Sequence, residues 1–292
     1  MLNLKEKDGG NFMDLKEYFN RNPEIAIAFS GGTDSAYLLY MAKQYAQRVE
    51  AFYARSVFQP TFELEDAKKF CNKYHIPLHI IDLDILANHN VRENTGDRCY
   101  YCKQSIFQAL LHASAQQGFS ILADGTNASD QYVERPGMRA LEELKISSPL
   151  RTCNLTKKEV RDASDKLQLF TAFKPSYSCL ATRIETGVPI TISQLDCVEQ
   201  CENYLYQLGF TDYRTRLYHD SIVIQIPENQ FLRILEFRNE ILMIFLQFHK
   251  RIYLDLLPRA DEDALPTAST AQHLTENKEE PSPWNPKPFI KY

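Results

Sequence analysis

The sequence predicts an α/β fold, a doubly wound parallel sheet followed by a smaller α+β domain, and three observations carry that expectation. Four short runs rich in apolar and β-branched residues recur at positions 25–29, 49–54, 78–83 and 119–124. The segments between them, such as FELEDAKKFCNKYH and YCKQSIFQALLHASAQQG, have helical periodicity; strand alternating with helix means a parallel sheet, because a crossover is needed to start each parallel neighbour. After about Pro189 the alternation stops.

The first run, IAIAF, ends in SGGTDS and a helical stretch. In a doubly wound sheet, ligands sit beyond the carboxyl ends of the strands, so the loops after Phe29, Ala54, Leu83 and Asp124 should surround one crevice. Beyond Pro189 the chain reads as a helix (SQLDCVEQCENYLYQLG), two strands (YRTRLYH and SIVIQI), one long helix (NQFLRILEFRNEILMIFLQF) and a last strand (RIYLDLL). Three regions are therefore expected: a sheet domain over 1–188, a small α+β domain over 189–257 and a tail over 258–292. The tail holds six of the fourteen prolines, several acids and no glycine, a composition that favours disorder, with Trp284 on a solvated terminus.

At 292 residues and 44% hydrophobic, the chain can bury two cores. Its 33 Lys and Arg against 38 Asp and Glu give a net charge of −5, which exerts no overall pull toward nucleic acid or an anionic membrane. The opening residues lack the apolar core of a signal peptide, and no run approaches the ~18 apolar residues of a membrane span. A cytoplasmic location is expected. Seven cysteines, an odd number, then argue for reduced thiols rather than a disulfide framework.

The SGGTDS turn supplies Ser30, Gly31, Gly32, Thr33, Asp34 and Ser35 between a buried strand and a helix. Such a turn exposes backbone N–H groups and points the positive end of a helix dipole at its occupant, which makes it an anion cradle. Gly31 and Gly32 let the backbone approach phosphate oxygens, Ser30 and Ser35 can donate hydroxyl bonds, and Asp34 can orient phosphate-bound Mg²⁺; the lysine of a Walker-type loop is absent. The plain alternative is an ordinary strand-to-helix turn with a polar N-cap. A second motif, GTNASD, with Gly125, Thr126 and Asn127, follows another predicted strand and weighs against that alternative. The SGGxDS stretch resembles the signature of the PP-loop ATP pyrophosphatases over roughly residues 23–170. That resemblance implies ATP, cleaved at its α-phosphate to adenylate a carboxylate or carbonyl oxygen.

GDRCYYCKQ places Cys99 and Cys102 in a C-x-x-C spacing, and KPSYSCLATRIETG places Cys179 on the loop leaving the sheet domain. The pair alone is compatible with a redox couple, half a zinc site or part of an iron–sulfur site. Zinc would need His89 or Cys153 as a recruit, and all three thiols could instead be small buried hydrophobes. Three cysteines suit a [4Fe–4S] cube with one iron open to an exogenous sulfide. Arg98, Lys103 and Lys174 lie close in sequence and would stabilise thiolates. Cys71, Cys153, Cys197 and Cys201 are assigned to packing.

Taken together, SGGTDS, DRCYYCK, ADGTNASD, RPGMRALEEL, SPLRTCNLTKKEVR, KPSYSCLATRIETG and YRTRL resemble the LarE family of ATP-dependent sulfur transferases, over roughly residues 15–257. The resemblance implies a small-molecule substrate, pyridinium-3,5-biscarboxylic acid mononucleotide, whose carboxylates become thiocarboxylates for a nickel-pincer nucleotide. It implies ATP and Mg²⁺ at the SGGTDS and GTN motifs, Arg214 and Arg216 on the substrate phosphate, and Glu202 near a metal or the substrate. One branch of the family sacrifices the sulfur of a single cysteine, at the position of Cys179. The extra Cys99 and Cys102 resemble the three-cysteine branch, which implies a [4Fe–4S] cluster on Cys99, Cys102 and Cys179 that carries the sulfide. The chain departs from the family after Leu257, where PRADEDALPT replaces a Gly-containing basic segment.

Arg135, Arg139 and Arg183 are softer candidates that could equally be surface charges or ion pairs. The rival readings are a tRNA thiolase, which would need a basic groove, an ammonia-using synthetase, and an ATP- or metal-binding module without chemistry. No nucleic acid or membrane partner is expected, a homo-oligomer is compatible with the sequence, and the sulfide donor is unspecified.

Overall fold

The computed structural model describes residues 13–130, 136–175 and 177–259. Its first sheet has four parallel strands, β1 (Glu24–Ala28), β2 (Arg48–Arg55), β3 (Leu78–Asp82) and β4 (Leu122–Ala123), in the order β3-β2-β1-β4. β1 pairs with β2 from Glu24↔Arg48 to Ala28↔Phe52, and β2 with β3 from Ala51↔Leu78 to Arg55↔Asp82. The interior of β1 is buried residue after residue, as befits a central parallel strand covered on both faces. Edge strand β3 is half exposed. The run expected to form a strand over 119–124 keeps only two residues as β4, paired with β1 and extended by a bridge from Ala123 to Ser147.

The helices of this unit are α1 (Leu15–Arg21), α2 (Thr33–Tyr45), α3 (Thr61–Tyr74), α4 (His89–Arg92), α5 (Arg98–Gln116), α6 (Pro136–Glu143), α7 (Pro149–Thr152) and α8 (Lys157–Lys166). One core holds Phe19, Ile25, Ile27, Leu38, Leu39 and Phe70; another, around Ala26 and Phe52, takes Phe107 and Leu110 from α5. Strand succession runs from β1 outward to β3 and then crosses to the other side of β1 for β4, so the crevice of a doubly wound sheet opens beyond the carboxyl ends of β1 and β4. The two loops leaving there are SGGTDS and GTNASD.

After a 3-10 turn at Leu180–Arg183, helix α9 (Ile192–Gln207) opens on a capping box built by Thr191 and Gln194. It packs on a three-stranded sheet ordered β5-β6-β7, with β5 (Arg214–Tyr218) antiparallel to β6 (Ser221–Gln225) and β7 (Arg251–Leu254) parallel to it. The single long helix expected over 229–248 is instead two, α10 (Phe231–Glu236) and α11 (Arg238–Phe245), broken at Phe237. The Phe237 ring packs edge-on to Phe210 at 6.0 Å, and Arg233 lies over both rings. The core of this second unit also takes Phe58, Ile85 and, from α4, Val91 of the first, together with Leu180, Ala181 and Ile184. The tail from residue 260, including Trp284, lies outside the described residues.

Candidate active site

The phosphate-loop motif closes on itself in a way only its residue types allow. Gly31 takes φ +75, and a Cβ there would meet the Glu63 carbonyl oxygen at 3.0 Å. Gly32 is the N-cap of α2 and brings no side chain to cap it, so the first-turn amides are left for an anion. The hydroxyls of Ser30 and Ser35 lie 3.0 Å apart, and Ser35 also donates to the Gly32 carbonyl at 3.2 Å. Thr33 turns away from the cradle: its Oγ1 donates to the Thr171 carbonyl at 2.7 Å.

The GTN motif meets this loop directly. Gly125 approaches so closely that a Cβ would lie 2.8 Å from the Ser35 nitrogen, and Asn127 hydrogen-bonds Asp34. Thr126 donates to the buried Asp124 carboxylate, which also accepts from Ser148 at 2.7 Å. The Asp34 carboxyl is pushed up to about 6, first by burial and then by the neighbouring Asp130, against the pull of Lys157 and Arg161. Its Oδ1 is buried and accepts no hydrogen bond from the protein, so the residue holds an unused anionic ligand at the phosphate loop, the donor that a hard divalent cation takes.

The three thiols converge from two segments. Cys99 and Cys102 stand in the first turns of α5, Cys99 exposed and Cys102 half-buried, and Cys179 precedes the 3-10 turn. Burial pushes the Cys102 thiol up to about 12, and the charges of Cys179 and Cys99 add to the shift. Cys179 is likewise raised by burial, with Cys99 adding and Arg98 and Arg183 opposing. Arg98 and Lys103 at Cys102, and Arg98 and Arg183 at Cys179, act to stabilise the thiolates as expected, while desolvation acts more strongly the other way. Arg98 joins the segments, donating to Asn94 at 2.6 Å, to the Ala181 carbonyl at 2.9 Å and to the Cys99 sulfur at 3.6 Å. Among the described residues, no three His, Cys, Asp or Glu side chains stand in a metal-holding group. Lys174, expected beside the thiols, sits instead at the phosphate loop, with Nζ 3.2 Å from the Gly31 carbonyl and 2.7 Å from Asp66.

Cys179 is held from behind by a buried ion pair. Arg183 is fully enclosed; its Nε donates to Glu202 at 2.9 Å, while Nη1 reaches the Ser178 carbonyl at 2.9 Å and the Thr182 hydroxyl at 2.6 Å. Glu202, 3% exposed, also accepts from the Thr215 amide at 2.9 Å and from the Tyr177 hydroxyl. These bonds tie Glu202 to the loop that carries Cys179. Arg183, which could have been a surface charge, is a core residue.

Arg214 is buried rather than on a solvated strand edge, and faces Tyr177 at 4.8 Å with Arg183 against the same ring at 4.7 Å. Burial and the charges of Arg183 and Arg259 bring its pKa down to about 10. Arg216 is exposed, is lowered by the same influences, and donates to the Thr182 carbonyl at 2.6 Å. Crowded guanidiniums that depress one another favour an anion between them. Arg259, which sequence reasoning missed, joins this group while pairing with Asp212 at 2.9 Å.

Arg139 lies over the Tyr100 ring at 3.9 Å and pairs with Glu143, a surface arrangement; Arg135 is outside the described residues. His89 pairs with Glu93, and Cys153 is buried in the first core. Cys71, Cys197 and Cys201 are buried as packing residues. Glu63, also missed, is half-buried near Lys174, Asp66 and Arg183 and pushed up to about 7 by desolvation. Nothing in the spacing of ELED marks it.

The family model of the queuosine biosynthesis protein QueC matches residues 24–99, the region from β1 to the first thiol. An uncharacterized protein of Methanocaldococcus jannaschii is 30% identical over 244 residues, 83% of this chain and 93% of that protein. The pyridinium-3,5-bisthiocarboxylic acid mononucleotide synthase of Lactiplantibacillus plantarum is 29% identical over 219 residues, 74% of this chain and 79% of that enzyme. A tRNA-specific 2-thiouridylase of Nitratidesulfovibrio vulgaris is 33% identical, but over only 35% of this chain and 32% of its own length.

Proposed function

Because the chain belongs to the LarE family of PP-loop enzymes, we propose that it is an ATP-dependent sulfurtransferase converting the carboxylates of pyridinium-3,5-biscarboxylic acid mononucleotide to thiocarboxylates. The observation that carries the reading is the run of chain from Thr171 to Cys179. One end is bonded to the phosphate loop through Thr33, and the other presents a thiol beside Cys99 and Cys102. Activation of an acyl group and delivery of sulfur to it are thereby built around one crevice.

In the adenylation step a substrate carboxylate oxygen attacks the α-phosphorus, the bond to the bridging oxygen breaks, and pyrophosphate leaves with that electron pair. Amides of the α2 N-terminus and the hydroxyls of Ser30 and Ser35 stabilise the departing charge, and the open Oδ1 of Asp34 fits Mg²⁺. A sulfur nucleophile then bonds to the acyl carbon and AMP departs with the acyl–oxygen electrons. Arg214 and Arg216, with Arg183 and Arg259 alongside, hold the substrate phosphate.

Cys99, Cys102 and Cys179 fit a [4Fe–4S] cluster in donor chemistry: three soft ligands whose charges act on one another, with Arg98 and Arg183 acting on Cys179 to offset thiolate charge. When bound, the cluster would supply an open iron for sulfide; without it, Cys179 would give up its own sulfur.

The test is pyrophosphate release from ATP on adding the pyridinium substrate, with thiocarboxylate detected by mass spectrometry. Release on adding bulk tRNA instead would favour a tRNA thiolase, a reading weakened by the short span shared with the thiouridylase. Anaerobic reconstitution with iron and sulfide should give about four irons per chain, lost when Cys99, Cys102 or Cys179 becomes Ala. A colourless active protein whose Cys179 turns into dehydroalanine would establish sacrificial transfer.

A further inference from the structure

The phosphate loop has no lysine of its own, yet an ammonium is placed at its backbone by a residue 143 positions away. Lys174 Nζ is 3.2 Å from the Gly31 carbonyl oxygen, 2.7 Å from Asp66 Oδ2 and 5.2 Å from the centre of the Phe62 ring. Its side chain is 15% exposed and that of Asp66 33%. It is therefore largely withdrawn from water and held at the point where the cradle turns through its positive-φ glycine.

A buried ammonium keeps its charge only with compensation. Asp66 supplies part of it. Glu63, the other nearby carboxyl, sits at about 7 and is only partly ionised at neutral pH, so an added polyanion would meet an incompletely neutralised cation. The residue also lies between Thr171, bonded to the loop through Thr33, and Cys179, so one segment carries both the ammonium and the thiol. Lys157 and Arg161 act at the Asp34 end of the motif; Lys174 acts at the Gly31 end.

We propose that Lys174 is a phosphate-binding cation of this active site, contributed by the thiol-bearing loop, which turns from Asp66 and the Gly31 carbonyl to the polyphosphate of ATP when the nucleotide binds. The inference rests on the reading of the loop as an ATP site and goes beyond it by naming a contact the motif lacks. It predicts that nucleotide affinity is set partly by the segment that delivers sulfur.

The experiment measures Mg-ATP affinity of the full chain by calorimetry, with no pyridinium substrate present, for wild type, Lys174→Met, Lys174→Arg and Asp66→Asn. Lys174→Met should weaken ATP at least tenfold and abolish the ATP-induced rise in melting temperature, and Lys174→Arg should recover part of the affinity. Asp66→Asn should bind ATP as well as wild type or better, since it removes the competing carboxylate. A lysine that merely braces the loop gives the opposite pattern, with Asp66→Asn weakening ATP as Lys174→Met does, and that result would overturn the proposal, as would Lys174→Met binding within twofold of wild type. AMP serves as the second ligand: loss of AMP binding equal to the loss of ATP binding would also overturn it, because the contact is to the polyphosphate. If wild type binds ATP but releases no pyrophosphate with the pyridinium acid, the assignment of substrate fails while that of Lys174 stands.

Discussion

Asp34 carries the clearest conflict between stability and chemistry. Its carboxyl is raised from 3.8 to about 6, so the folded state binds a proton that the unfolded chain has already lost between those values. Stability contributed by this group therefore falls as pH rises from about 4 to 6 and is level above. At 1.36 kcal/mol per unit, holding the ionised form costs up to about 3 kcal/mol at neutral pH. Asp34→Asn should accordingly melt higher than wild type at pH 7.5 and show a smaller loss of melting temperature across pH 4–6, while pyrophosphate release drops at least a hundredfold. Wild-type pyrophosphate release should decline as pH falls through about 6, the outcome expected if Asp34 serves as the Mg²⁺ ligand proposed above. At Arg183 the expectation is reversed: Arg183→Met leaves Glu202 charged and buried and should cost about 3–5 kcal/mol in urea unfolding. Combining it with Glu202→Gln should recover part of that loss, and Arg183→Lys should not substitute, because a compact ammonium cannot span acceptors that separate guanidinium nitrogens reach, Nε to Glu202 and Nη1 to Ser178 and Thr182.

At the scale of elements, the meeting of two loops matters more than either motif. Gly125→Ala puts a methyl 2.8 Å from the Ser35 nitrogen, against backbone that cannot swing aside. The expected result is ATP affinity reduced at least tenfold with the first sheet intact by circular dichroism. Thr156→Ala is the matched control: it breaks the capping box at the start of α8 for about 1 kcal/mol of stability, and ATP affinity should change less than twofold. The first three strands and the principal helices were legible because burial on both faces, or on one, imposes a period on the sequence. β4 was overestimated because Phe119 is apolar for a different reason, packing against Phe52 and under Arg48 instead of pairing in the sheet. The break at Phe237 left no mark, since no Gly or Pro interrupts the helical spacing and the cause is a ring packed against Phe210, remote in sequence.

Over the whole molecule, motif order identified the ingredients of the site but not their alliances. Lys174 with Asp66, Arg183 with Glu202 and Arg98 with Ala181 connect residues 108, 19 and 83 positions apart, and such pairs have no local periodicity to betray them. The two units share a core, since Phe58 is buried among Ile190, Leu195 and Val198 from beyond residue 188. Wild type should thus unfold in urea with coincident circular dichroism and Cys197 labelling curves. Phe58→Ala, at about 3–5 kcal/mol, should separate them, Cys197 becoming reactive first.

The bridge between Ile184 and Leu217 and the grip of Glu202 on Arg183 bear on biosynthesis. When Cys179 leaves the ribosome, the strand and helix that will fix it have not been made. For that interval its sulfur travels on an unanchored nascent chain, open to oxidants and stray metal ions, and only translation past β5 shelters it.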